Sequence, residues 1–156
     1  MSQSTVTAFE DIASLERAVG AGPYLSEWVT VSQEMIDQFA AVTMDPQWIH
    51  VDAERAKRES PYGTTIAHGF LTLSLLSHFI STAIAFPNAK MGVNYGFEKV
   101  RFVSAVPSGA ELQASFTLQE VKAADPGVQL AWAVEVRARG AAKPALAAVW
   151  LSRIVM

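Results

Sequence analysis

Residues Ile66 to Phe86 read IAHGFLTLSLLSHFISTAIAF, and what this stretch becomes decides the fold. It is nearly all apolar or small, and its length alone would let a helix cross a bilayer. Against a membrane span, His68 and His78 lie inside it and serines and threonines run through its middle, groups that hydrocarbon penalises. Downstream the chain switches to alternating apolar and polar residues, the pattern of strands with one face to bury. A helix buried against such a sheet accounts for the apolar run, its polar interruptions and the strands together. A membrane span accounts only for the length.

Four strands are expected after Pro87, at about Gly92–Val103, Glu111–Val121, Val128–Arg139 and Pro144–Val155. Turn residues separate them at Pro107-Ser108-Gly109, Asp125-Pro126-Gly127 and Gly140. In the third strand Val128, Leu130, Trp132, Val134 and Val136 share one face, while Gln129, Glu135, Arg137 and Arg139 share the other. In the first, strict alternation puts Asn94 and Gly96 inward with Val100 and Phe102, and Lys99 and Arg101 outward.

Upstream of the apolar stretch the period is helical. Phe9 to Val19 reads as a short amphipathic helix with Phe9, Ile12, Leu15 and Val19 near one face, stopped by Gly20-Ala21-Gly22-Pro23. After an extended piece from Tyr24 to Val31, Ser32 is positioned to cap a helix from Gln33 to Val42. A loop from Thr43 to Val51, a charged helical turn from Asp52 to Glu59 and a second loop from Ser60 to Thr65 then lead into Ile66. Helices first and an antiparallel meander after them imply an α+β fold. The expectation is one domain over residues 1–156, its antiparallel sheet wrapped around a long central helix.

Composition excludes several classes of function. Twelve Lys and Arg against fifteen Asp and Glu give a net charge of −3 without long blocks of either sign, so no footprint for nucleic acid or for an anionic membrane is present. The chain has no cysteine, which removes disulfides, a thiolate nucleophile and cysteine-ligated metals and suits a reducing cytoplasm. The segment Met1–Ala13 carries Glu10 and Asp11 and lacks the basic start and apolar run of a signal peptide.

Of the three histidines, only His50 has a carboxylate a few residues away in the same loop, in Asp45-Pro46-Gln47-Trp48-Ile49-His50. An Asp and a His that converge can orient a water molecule and move its protons. A metal set drawn from Asp45, His50 and Asp52 is weaker, because the spacing matches no helical ligand pair. His68 and His78 have no partner in sequence and read as packed or solvated side chains. Ser74, Ser77 and Ser81 form a small-residue stripe at helical spacing, which by itself means close helix packing.

Three segments carry a wider resemblance: DPQWIHVDAERA from Asp45, PYGTTIAHGFLTLSLLS from Pro61 and NYGFEKVRF from Asn94. Together they resemble the MaoC-like, or R-specific enoyl-CoA hydratase, family of hotdog proteins, and within it the NodN-like members. The resemblance runs from about Val29 to Val155.

It implies a hydratase that adds water to a trans-2-enoyl-CoA, with Asp45 and His50 as the catalytic pair. The backbone N–H of Gly69, at a helix start where N–H groups are unsatisfied and the dipole is positive, serves the thioester oxyanion. Ser77 is implied to hydrogen-bond Asp45. The Gln47 amide offers a donor and an acceptor for the catalytic water or the thioester, and inward Asn94 is placed to line the acyl pocket. The CoA thioester is the substrate, and no metal or other cofactor is implied. A homodimer is implied. Outward Lys99 and Arg101 could meet CoA phosphates near its boundary, although two such charges more commonly mean a solvated strand face.

The family motif commonly reads Gly-Asp-x-Asn-Pro-Ile/Leu-His, and here Met44, Gln47 and Trp48 stand at the Gly, Asn and Pro positions. Two other activities fit the same fold: an acyl-CoA thioesterase, and an acyl-CoA binding protein without catalysis.

Overall fold

In chain order the computed structural model, which describes residues 6–156, contains β1 (Thr7–Ala8), α1 (Ile12–Arg17), β2 (Tyr24–Leu25), β3 (Val29–Thr30), α2 (Gln33–Thr43), α3 (Trp48–Val51) and α4 (Ala53–Glu59). There follow α5 (Gly69–Ser74), α6 (Leu76–Ala83), β4 (Ile84–Ala85), β5 (Met91–Phe102), β6 (Glu111–Ala123), β7 (Val128–Ala138) and β8 (Leu146–Val155). The first five residues of the N-terminal segment read above lie outside the described ones.

The apolar stretch is the central helix, in two pieces. Leu75, between α5 and α6, keeps helical dihedrals of φ −69° and ψ −12°, and its N–H bonds the Leu71 carbonyl, so the path hardly breaks. Leu71, Leu76, Phe79 and Ala83 are buried along it, while Phe70, Ser74, Ser77, His78 and Ser81 face out. Each large apolar side chain buried in this way contributes about 1.5–3 kcal/mol. Among the described residues no helix is long and apolar enough to cross a membrane.

The sheet is antiparallel in the order β2-β6-β7-β8-β5, with β3 also on β6. The inward residues of β7, Val128, Leu130, Trp132, Val134 and Val136, are buried as their alternation requires. Leu112, Ala114, Phe116 and Leu118 of β6, and Leu146, Ala148, Trp150, Ser152 and Ile154 of β8, do the same. This face closes on the central helix and forms the core.

Strand β5 departs from strict alternation. Its ladder with β8 shifts register between Asn94 and Gly96 and again between Phe97 and Lys99. Cross-strand partners share a face, so Asn94 (opposite Ser152), Phe97 (Trp150), Val100 (Ala148) and Phe102 (Leu146) are the inward set. Gly96, expected inward, lies opposite Leu151 and turns outward, because one bulge reverses the parity and a second restores it. The Phe97 ring stacks on Trp150 at 6.3 Å. Lys99 and Arg101 point outward as expected.

The first helix is shorter than its apolar pattern. Asp11 caps it, accepting from the Ser14 N–H at 2.7 Å while Ser14 Oγ accepts from the Asp11 N–H at 3.3 Å. It ends at Arg17, so Ala18 is buried and Val19 is exposed. Ser32 caps α2 as expected, accepting from the Met35 N–H at 3.2 Å.

Candidate active site

The site begins where α2 stops. Met44 takes the left-handed conformation, φ 58° and ψ 37°, and is the one described non-glycine residue with positive φ. A helix commonly ends on such a residue, and glycine fits it best. The Asp45 N–H then reaches back to the Ala40 carbonyl at 3.0 Å. The backbone turn at Met44 is thus one that glycine favours, here adopted by an exposed methionine.

Helix α3 is a single turn that carries His50. The His50 N–H bonds the Gln47 carbonyl at 2.9 Å. Arg55 holds its guanidinium 4.3 Å above the Trp48 ring. Gln33 of α2 donates to the His50 carbonyl at 2.7 Å and accepts from the Thr65 hydroxyl at 2.5 Å, pinning the imidazole turn to the segment before α5. The Ile66 N–H bonds the Ile49 carbonyl at 3.0 Å and strengthens the same link.

The His50 ring has a defined role for each nitrogen. Nδ1 lies 2.7 Å from the Ile66 carbonyl, which can only accept, so Nδ1 carries the proton and Nε2 is a bare acceptor. Burial holds the His50 pKa below its ordinary value of 6.5, and the neighbouring His68 lowers it further; the Ile66 carbonyl and the Asp45 carboxylate act the other way. The result favours a neutral imidazole near pH 7, the form that acts as a base.

Asp45, His50 and His68 each bring a side-chain donor or acceptor atom within 4.8 Å of the others. That separation lets a single water bridge two of the groups, each hydrogen bond being about 2.8 Å long. His68, read from sequence as a packed or solvated side chain without a role, is buried in this cluster. Its ring stacks on His50 at 3.8 Å with 24° between the planes, and its Nε2–H donates to the Asp45 carbonyl at 3.1 Å. In the tautomers that their hydrogen bonds require, His50 Nδ1 and His68 Nε2 each carry a proton, so neither of these nitrogens offers a lone pair to a metal. The trio fits proton handling better than metal ligation. His78 is exposed, as a solvated side chain should be.

Gly69 opens α5, and among the described residues its N–H and that of Phe70 have no acceptor. A Cβ at Gly69 would sit 2.9 Å from the Phe102 ring, so close packing requires glycine here. Gly69, His50, Tyr62, Thr72, Phe102 and Val106 border a cavity of about 310 Å³. The His50 imidazole and the start of α5 at Gly69 therefore face one space.

Ser77 does not bond Asp45 within the chain. Its Oγ accepts from Asn94 Nδ2 at 3.2 Å, and both border a second cavity of about 330 Å³ with Ile80, Phe86 and Trp150. Ser77 lies eight residues beyond Gly69, about 12 Å along a helix axis, which carries it away from the Asp45 end. Inward-facing Asn94 belongs to the same far cavity. Gln47 is exposed, its side chain makes no capping bond to α3, and its amide is open to a ligand.

Sequence reasoning missed His68, Gln33 and Thr65. His68 directly precedes Gly69, but its partner is a backbone carbonyl 23 positions earlier. Gln33 and Thr65 act through His50 from 17 positions before it and 15 after it, and no local pattern marks them.

Residues 14–138 match the MaoC like domain family. The 3-hydroxyacyl-thioester dehydratase Z of Mycobacterium tuberculosis (strain ATCC 25618 / H37Rv) is 43% identical over 148 residues, covering 94% of this chain and 97% of that protein. Nodulation protein N of Rhizobium meliloti (strain 1021) is 42% identical over 147 residues, covering 93% and 89%. Among solved structures, the R-hydratase PhaJ1 from Pseudomonas aeruginosa in its unliganded form superposes with a TM-score of 0.68 at 25% identity, over 88% of this chain and 81% of that one.

Proposed function

The chain belongs to the MaoC-like domain family, is a hotdog-fold hydro-lyase, and from that premise we propose that it hydrates trans-2-enoyl-CoA thioesters to (R)-3-hydroxyacyl-CoA and catalyses the reverse dehydration. One observation carries the reading. The Asp45 carboxylate and the His50 imidazole lie within 4.8 Å of each other, and His50 shares its cavity with the start of α5 at Gly69.

In the proposed step a water sits between the two side chains. His50 Nε2, a bare acceptor, takes one proton while the Asp45 carboxylate accepts the other O–H as a hydrogen bond. The water oxygen bonds C3, the C2–C3 π pair moves toward the thioester, and the imidazolium returns its proton to C2 on the same face. Charge gathers on the thioester oxygen, where the Gly69 N–H stabilises the transition state more than the ground state. The step as written calls for no metal or redox cofactor.

We further propose that the working form is a cytoplasmic homodimer. Strand β5 lies at the end of the main sheet order and exposes Met91, Val93 and Tyr95. A partner copy paired there would cover an edge that otherwise invites aggregation. Outward Lys99 and Arg101 would then lie beside the boundary, within reach of CoA phosphates. Asn94 and Ser77 line the space proposed for the acyl chain, and Gln47 meets the thioester end.

The test is loss of enoyl absorbance with a series of trans-2-enoyl-CoAs of increasing chain length, beginning with crotonyl-CoA. Release of free thiol would instead mean a thioesterase, and binding without absorbance loss a non-catalytic acyl-CoA binder.

A further inference from the structure

We propose that His68 is a positioning residue for this hydration site: its Nε2–H, held on the Asp45 carbonyl, fixes the Asp45 carboxylate against the His50 imidazole. The proposal rests on the functional reading above.

Asp45 has little else to hold it. Its side chain is 54% exposed, it follows left-handed Met44, and Pro46 after it offers no N–H. Among the described residues the Asp45 carboxylate accepts no hydrogen bond, and its nearest basic atom is His68 Nε2, 3.9 Å from Oδ2. Two backbone bonds fix the residue. Its N–H ties it to Ala40 at the end of α2, and its carbonyl accepts from His68. Only the second joins Asp45 to the start of α5, where the oxyanion donor sits.

His68 touches all three working parts of the site. It holds the Asp45 carbonyl at 3.1 Å, stacks on the His50 ring at 3.8 Å, and is the residue before Gly69. Phe39 packs against it at 5.0 Å, so the ring is restrained by aromatic neighbours.

Packing alone does not explain a histidine here. Its Nδ1 is buried without a partner among the described residues, a cost that an aromatic hydrocarbon of similar shape would avoid. What the imidazole adds is the Nε2–H donor. With Nε2 donating to a carbonyl, Nδ1 is left as the bare acceptor, the opposite tautomer to that of His50.

His68→Phe and His68→Gln separate the two roles. Phe keeps the bulk and the stack but has no donor; Gln reaches the Asp45 carbonyl with its amide N–H but cannot stack. A displacement of about 1 Å at a reacting group costs on the order of 10²-fold in rate. The Phe variant is therefore expected to lose about 10²-fold in kcat with KM held within about threefold, and to melt no lower than the parent. The Gln variant is expected to recover activity to within about tenfold of the parent. A Phe variant with parental kcat overturns the proposal, as does a Gln variant that falls as far as Phe while melting normally.

A substrate-free measurement stands apart from activity. Long-range nitrogen–proton correlation of the histidine rings is expected to show His68 protonated at Nε2, and an Nδ1–H tautomer overturns the proposal whatever the kinetics. If the parent chain hydrates enoyl-CoAs and His68→Phe is equally fast, the functional reading stands and this inference falls. An inactive parent sinks both.

Discussion

Strand β7 and the segment from Met44 to Gly69 are held in place by different means. In β7 burial repeats at every second residue, and the strand is paired on both sides, with β6 and β8. Each side chain there is supported by many neighbours, and its conformation follows from a pattern. The site segment has short helices, exposed Asp45 and Gln47, and a few single hydrogen bonds: Gln33 to His50, Thr65 to Gln33, His50 to Ile66 and His68 to Asp45. Burial is concentrated in the first region and the candidate site in the second. The split lets substitutions in one region leave the other nearly untouched.

Trp132 should carry the largest single share of the sheet's stability. It is fully buried, meets Phe116 edge-on and donates from Nε1 to Ser152 Oγ at 3.2 Å. Trp132→Ala is expected to destabilise the fold by about 3–5 kcal/mol, read as a drop in the urea midpoint. A loss below about 1 kcal/mol would mean that the sheet core is not where stability resides.

The opposite behaviour is expected of the proposed catalytic pair, Asp45 and His50. Asp45→Asn and His50→Ala should each lower kcat for crotonyl-CoA hydration by about 10²–10⁴-fold, the usual contribution of general acid/base groups. Exposed Asp45 predicts an unchanged melting temperature for the first; His50, which is buried and anchored, predicts a modest loss for the second. Losses under tenfold in both would remove the pair from the mechanism.

The same division explains what could be read from the chain. A period of two, interrupted by Pro107-Ser108-Gly109 and Asp125-Pro126-Gly127, placed β6, β7 and β8 to within a few residues. The Asp45 and His50 pair was legible because both lie in one short loop with a family pattern around it. The inward face of β5 was not fully legible. Its bulges depend on how β8 pairs with it, and Gly96 and Phe97 exchange roles as a result. Nor was His68, because a backbone carbonyl carries no signature in the residue type that bears it. The expected bond from Ser77 to Asp45 is absent within the single chain, where Ser77 Oγ accepts from Asn94 instead.

A pH series sharpens the contrast at His50. Its pKa is held below 6.5, chiefly by burial, so the neutral base should persist below the ordinary imidazole range. The acidic limb of kcat/KM is expected to have its midpoint below 6.5. In stability the sign follows from proton uptake: below 6.5 the unfolded chain binds the proton more readily than the folded one. Stability from this group is therefore fully present above 6.5 and declines as pH falls from there toward the folded pKa. His50→Ala should flatten that decline. A midpoint above 6.5 in the rate profile would remove neutral His50 as the base.

The smallest expected effect lies at the entrance to the site. Met44 is 86% exposed and sits at φ 58° and ψ 37°, where its Cβ crowds the following carbonyl at a cost of about 1–2 kcal/mol. Glycine removes that crowding but gives the unfolded chain more freedom, which offsets about 0.5–1 kcal/mol of the gain. Met44→Gly is therefore expected to raise stability by about 0.5–1 kcal/mol, with kcat unchanged, since the turn that delivers Asp45 is already formed. The measurement is a urea midpoint beside a crotonyl-CoA rate. A higher midpoint with an unaltered rate means that the strain at Met44 is separable from the chemistry. A fall in rate means that the methionine side chain, although exposed in the single chain, does something for the site that the backbone turn alone does not.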